Sequence, residues 1–208
     1  MIIAIDGAST DLSLAVAESD GTLLGEDAWT SPQRQSAELL PHLLALLARL
    51  ERPLGDATVV AVGSGPGSFT GLRVAMALAK GLAVGLHIPI VGVPSLKAWL
   101  DAEPDATAAI ARAGARDAYV LARGGDAPRI VDREALGTTS AVVAPAEVAI
   151  AFGLPNGRRP RGATAIAARA AERIAADPAG DDLPTLEPIY LRAPRGVAAE
   201  SGELVKWL

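Results

Sequence analysis

The segment that most limits how this chain can fold is the run Gly63-Ser64-Gly65-Pro66-Gly67-Ser68-Phe69-Thr70-Gly71. An apolar stretch, residues 58–62, feeds into it. A helical pattern starts in or just after it and reaches about Leu86. That pattern carries small residues at four-residue spacing: Ala75, Ala79 and Ala83 on one stripe, Ala77, Gly81 and Gly85 on another. Small side chains let two backbones come close. A strand that turns through glycines into such a helix lays the helix on a sheet, which points to a layered α/β domain.

The flanking residues extend this reading. Residues 2–5 are a β-branched run and read as a buried strand. Leu12, Leu14 and Val16 alternate with Ser13 and Ala15, Asp20-Gly21 is a hairpin turn, and residues 22–29 return as a third strand. Ser31-Pro32 reads as an N-cap followed by proline at the first helical position. Leu39, Leu40, Leu43, Leu44, Leu47 and Leu50 follow at helical spacing, and Leu46 broadens the stripe beyond one core face. Pro41 falls inside this helix and should kink it or cost roughly 3 kcal/mol. Residues 88–93 read as a buried strand, and Pro94-Ser95 opens a third helix through Trp99. The order β-β-β-α-β-α-β-α predicts a mixed sheet with helices on its faces. Beyond Asp101 the pattern weakens. Short strands are expected at 117–122 and 129–131, helices at 145–152 and 163–176, a loop at 177–184, a late strand at 189–191, and a tail over the last sixteen residues. No repeat of 20–50 residues is visible.

Composition excludes several functions. The 208 residues suit one large domain or two small lobes. Half are hydrophobic and 21% charged, so the chain is globular. With 19 basic against 24 acidic residues the net charge is -5, which argues against stand-alone nucleic-acid binding. The absence of cysteine removes disulfides, thiol nucleophiles and thiolate metal sites, and two histidines, His42 and His87, cannot form a His-rich metal cluster. The apolar start stops at Asp6, too short for a signal segment. The longest uncharged apolar run, residues 81–96, contains Pro89 and Pro94 and falls short of the ~20 residues of a membrane helix. A cytoplasmic protein without a membrane partner is expected.

The glycine loop could present free N–H groups at a helix start to an anion, or serve only as a packing turn. It is neither a P-loop, since Leu72-Arg73 follows Gly71, nor a dinucleotide fingerprint, since Gly65, Gly67 and Gly71 have the wrong spacing. Asp6, ending the first strand before Gly7, could hold a metal–phosphate complex or cap its own turn. His42 lies at i+4 from Glu38 with no second histidine nearby, which suits a solvated or interface edge better than a metal. Arg158, Arg159, Arg161, Arg169 and Arg173 face a single acid, Glu172, in the one basic stretch; this is a solvated face or an RNA contact within a larger complex. No Ser/His/Asp arrangement is evident.

The loop Gly65-Pro66-Gly67-Ser68-Phe69-Thr70-Gly71-Leu72-Arg73-Val74, continued by Ala79-Lys80-Gly81-Leu82-Ala83, strongly resembles the signature of the TsaB (YeaZ) family of bacterial tRNA threonylcarbamoyladenosine biosynthesis. Ile3-Ala4-Ile5-Asp6 with Ser9-Thr10, Glu38-Leu39-Leu40-Pro41, Val91-Gly92-Val93-Pro94-Ser95-Leu96 and Pro188-Ile189-Tyr190-Leu191-Arg192 also match. The resemblance is dense over residues 1–100 and patchy afterwards. It implies an actin-like ATPase (ribonuclease H-like) α/β fold with two lobes of βββαβα origin. Residues 1–103 would form the complete lobe and residues 104–208 the reduced one. It also implies a non-catalytic subunit that pairs with the paralogue TsaD, which modifies adenosine 37 of tRNAs reading ANN codons, together with the ATPase TsaE. tRNA would be met only through that complex, and a homodimer would form without TsaD.

The residues agree with that division of labour. One phosphate-gripping hairpin survives as Asp6 and Gly7, while Gly124-Gly125-Asp126 has the wrong order to be the second. No cofactor is expected in the isolated chain, and ATP only at a composite boundary in the complex. The expected partner face comprises Leu39, Leu40, Leu43, Leu44 and Leu47 on the first helix, and Arg73, Met76, Ala79, Lys80 and Ala83 on the second. The alternatives are an autonomous ATP-dependent phosphotransferase of the same fold, motivated by Asp6 and the loop, and a metallopeptidase, which the His and Cys counts disfavour.

Overall fold

The computed structural model describes residues 1–136, 141–154 and 157–191. The N-terminal meander is β1 (Ile2–Asp6), β2 (Asp11–Ala17) and β3 (Leu23–Thr30), followed by α1 (Gln35–Arg49), β4 (Val59–Gly65), α2 (Phe69–Leu86), β5 (Ile90–Pro94) and α3 (Ser95–Ala102). The element order is the one expected from the sequence. Their strands make a sheet in the order β3-β2-β1-β4-β5, with β1, β4 and β5 parallel and the meander antiparallel.

Alternation along the strands sorts the core into two layers. Ile3, Ile5, Leu14, Val16, Val60 and Val62 face α1 and α2, whose Leu39, Leu43, Ala75 and Ala79 complete that layer. Ile2, Ala4, Ala15, Ala61, Val91 and Val93 face the other way. They are covered by α5 (Gly162–Ala176), a helix from the far half of the chain, through Ala163, Ile166, Ala167 and Ala170. Alanine on both sides lets α5 lie close to the sheet.

The second half holds β6 (Ala108–Arg112), β7 (Asp117–Ala122), β8 (Arg129–Asp132), β9 (Val142–Val143), α4 (Ala146–Phe152) and β10 (Gly157–Arg158) ahead of α5. Its sheet runs β10-β9-β6-β7-β8. Read from the other edge, that is third, second, first, fourth, fifth strand, the same topology as the first sheet, with the last two strands cut to two residues each. In return for α5, α3 leaves the first half and packs Leu96, Trp99 and Leu100 on Ala109, Ala111, Tyr119 and Leu121 of the second sheet.

Two local expectations change. Ser31-Pro32 does not cap α1: the helix starts at Gln35 behind Arg34 with no side-chain cap, and Gln35 instead donates its amide to the Ser31 carbonyl at 2.8 Å. Residues 189–191 are not a strand, because they cross the ends of β4 and β5 with one backbone bond, Ile189 N–H to Ser64 O at 2.7 Å. The expected tail, residues 193–208, lies outside the described residues. By length and composition α2 alone among the described helices could cross a membrane. In the fold its Ala75, Ala79 and Ala83 row lies on the sheet.

Candidate functional site: a closed cleft and an open helical face

Asp6 ends β1 where the two halves meet, and it is 2% exposed. Its carboxylate accepts the Trp99 indole N–H at 2.7 Å, the Ala8 N–H at 3.1 Å and the Ser95 hydroxyl at 3.3 Å. Burial pushes the carboxyl above its ordinary value, against the lowering pull of these three bonds. Gly162, the first residue of α5, presses so closely on this carboxylate that any Cβ there would overlap it. Asp6 is therefore enclosed on all sides by protein.

The glycine loop sits directly over the turn after β1. A Cβ at Gly7 would come within 2.5 Å of the Gly71 carbonyl, and one at Gly67 would run into the Ala8 backbone. The Ser68 N–H donates to Ala8 O at 2.7 Å, and the Ser68 hydroxyl caps α2 by accepting from Gly71 N–H at 3.3 Å. Gly65 adopts φ +89°, in the region that favours glycine, and the Gly65–Pro66 peptide is cis. The amides that could cradle an anion thus include one already spent on the facing loop, and the glycines serve the approach of two backbones.

The opposite wall is tied down in the same way. The N-terminus of α4 donates Ala146 N–H to Asp11 at 3.1 Å, while Glu147 accepts Thr10 N–H at 3.3 Å. At α5, Ala163 N–H donates to the Ser13 hydroxyl at 2.9 Å. Side chains of β2 and its approach thus occupy helix starts contributed by the second half. Among the described residues no group of three His, Cys, Asp or Glu could hold a metal ion. His42 bonds Asp27 at 2.7 Å and stacks on Trp29 with ring centroids 3.8 Å apart.

The basic stretch is neutralised internally. Arg158 pairs with Glu103 and Arg161 with Glu26, both at 2.9 Å, Arg173 pairs with Asp181 at 2.6 Å, and Arg169 pairs with Asp101 and Glu172. Burial alone would raise the Asp101 carboxyl, but hydrogen bonds from Arg169 and Lys97 hold it below its usual value. Among the described residues only Arg159 of the five lacks such a partner.

The expected partner residues divide. Leu39, Leu43, Leu47, Met76, Ala79 and Ala83 are at most 4% exposed and belong to the chain's own core, which leaves them little surface to offer a partner. Leu40 and Leu44 are 40% and 48% exposed, and Arg73 and Lys80 also reach the surface. Of the two small-residue stripes on α2, the open one is Ala77, Gly81 and Gly85, with Val84 beside it at 58% exposure. A Cβ at Gly81 or Gly85 would meet nothing within 4 Å. The exposed face of the two helices therefore keeps Leu40, Leu44, Arg73 and Lys80 of the expected residues and adds Ala77, Gly81, Val84 and Gly85.

The same fold is found in the solved structure described as YeaZ from Pseudomonas aeruginosa, at TM-score 0.65 and 21% identity over 91% of this chain and 99% of that one. The family model described as TsaD, tRNA N6-adenosine threonylcarbamoyltransferase, matches residues 30–177. The tRNA threonylcarbamoyladenosine biosynthesis protein TsaB of Escherichia coli (strain K12) is 37% identical over 95 residues, 46% of this chain and 40% of that protein. This chain belongs to the TsaB (YeaZ) family. An uncharacterized protein of Mycobacterium tuberculosis (strain H37Rv) is 33% identical over 202 residues, 93% of this chain and 92% of its own length. The fold is the actin-like, ribonuclease H-like one, and the two sheets of matching topology are its two lobes. In this TsaB-family chain the sequence missed Trp99, Ser95 and Gly162 around Asp6. They lie 89 or more residues away in the chain, and no local pattern marks such contacts.

Proposed function

We propose that this chain is a non-catalytic subunit of the machinery that forms threonylcarbamoyladenosine at position 37 of tRNAs reading ANN codons. Its open α1–α2 face docks a catalytic TsaD-type paralogue, and a TsaE-type ATPase acts on the pair. The observation that carries this reading is the contrast between a cleft filled by the chain's own side chains and a helix pair left apolar and open. Asp6 has no room for a metal–phosphate complex, so the isolated chain binds no nucleotide, and ATP enters only at a boundary shared with the paralogue. Leu40, Leu44, Ala77, Gly81 and Val84 offer the shallow, small-residue surface on which a second helix pair can pack. Such an interface buries about 800 Å² per partner. Without the paralogue the same face closes on a second copy of the chain.

The test is co-purification with the TsaD-type paralogue of the same organism, followed by mass spectrometry of the modified nucleoside. Leu44→Glu should abolish both the paralogue complex and the homodimer while leaving the monomer's melting temperature unchanged. Modification should need both chains. Mg-ATP titrated calorimetrically into this chain alone should give no heat of binding. Tight one-to-one binding, or modification by this chain with no companion, would overturn the reading.

A further inference from the structure

A groove of about 380 Å³ lies between α2 and residues 186–190, beside the open face rather than on it. We propose that this groove is a second wall of the docking surface, receiving a helix of the paralogue that brings a carboxylate to Lys80. The proposal rests on the docking reading above and adds to it a place and a charge.

The outer wall is a strap fixed at both ends. At its start the Asp181 N–H donates to Ile90 O at 2.8 Å, and the Asp181 carboxylate accepts Gly92 N–H at 2.7 Å and pairs with Arg173. Leu186 lies over Gly92, where a Cβ would come within 2.5 Å of it. At its end Ile189 bonds Ser64, and the Tyr190 hydroxyl accepts the Arg73 Nε–H at 3.1 Å. The Tyr190 ring tilts against Phe69 at 5.3 Å, and the Arg73 guanidinium lies 4.1 Å over Phe69. The strap is thus held ready, and its shape does not wait for a ligand.

Two observations choose the occupant. Ala77 belongs both to the groove wall and to the open row with Gly81 and Gly85, so a helix lying on that row continues into the groove. Lys80, half-buried between Met76, Ala77 and the strap, forms no salt bridge among the described residues. Glu187 on the facing wall is not within salt-bridge distance of it. Arg73 on the same wall is held by Tyr190, so the half-buried Lys80 ammonium beside Met76 and Ala77 is the cation left to be matched by an incoming acidic side chain, which fixes register and speeds encounter.

The experiment measures affinity of the paralogue for the full chain at low and high salt. Lys80→Glu should weaken binding about 10–100-fold, and Lys80→Met should remove part of the salt dependence. Tyr190→Ala should weaken binding about 10-fold by loosening the strap. Tyr190→Phe, which keeps the ring, guards against a folding defect and should fall between. Leu44→Glu is run alongside. If it abolishes binding while every groove variant binds like the parent, the groove proposal falls and docking stands. If Leu44→Glu itself binds normally, docking falls and the groove proposal with it.

Discussion

The cleft around Asp6 and the outer face of α1 and α2 have opposite needs. In the cleft, two carboxylates and a hydroxyl have found N–H donors from elements distant in the chain: Asp6 from Trp99, Asp11 from Ala146, Ser13 from Ala163. On the helix face there is little polar to satisfy, and the open glycines meet no atom. A buried polar group that has its partners is finished. An apolar surface with nothing on it is not. The place where an actin-like fold would be searched for a ligand is internal structure here, while the outer face of α1 and α2 is open and apolar.

The strongest way to break this comparison is at Trp99, which is 1% exposed. Trp99→Ala should cost about 3–5 kcal/mol of stability from lost packing alone, read by chemical denaturation. It also strips Asp6 of its shortest hydrogen bond. A loss below about 1 kcal/mol would mean that Asp6 is solvated and the cleft open. A smaller effect is expected at Asp6 itself. Because its folded-state pKa is raised, the folded chain holds this proton more tightly than the unfolded chain does. Stability from this group is therefore fully present below the ordinary value of 3.8 and declines as pH rises from there through the folded value. Asp6→Asn should flatten that decline in melting profiles from acid to neutral pH. An unchanged slope would sink the claim that burial governs this carboxyl. The smallest effect sharpens the other side of the contrast. Gly81→Ala on the open face should raise monomer stability by up to about 1 kcal/mol through helix propensity, while an added methyl weakens partner binding. Destabilisation of the monomer would show that Gly81 is needed by this chain's own fold.

The first half of the fold was legible because its signals are local. Alternation in β2, the Asp20-Gly21 turn and the leucines of α1 each declare themselves within a few residues. β6 was missed because Ala108-Ala109-Ile110-Ala111-Arg112 has neither β-branched runs nor alternation, and β9 and β10 because two residues carry no period. The glycine loop and the helices α1 and α2 were found, but which of their residues turn inward is decided only by packing. Sequence spacing defined both stripes of α2, and only the position of the sheet decides that Ala75, Ala79 and Ala83 point inward. The basic stretch read as a solvated face or an RNA contact because its counter-charges, Glu26, Glu103, Asp101 and Asp181, are scattered along the chain.

The exchange of α3 and α5 between the halves bears on motion. Two-bodied proteins that close around a ligand commonly do so by swinging one body against the other about a hinge. Here each lobe has lent a helix to the other, so any swing would have to peel α5 from the first sheet and α3 from the second, tearing apolar surface in both. The two sheets are in that sense welded to one another through the helices they exchange.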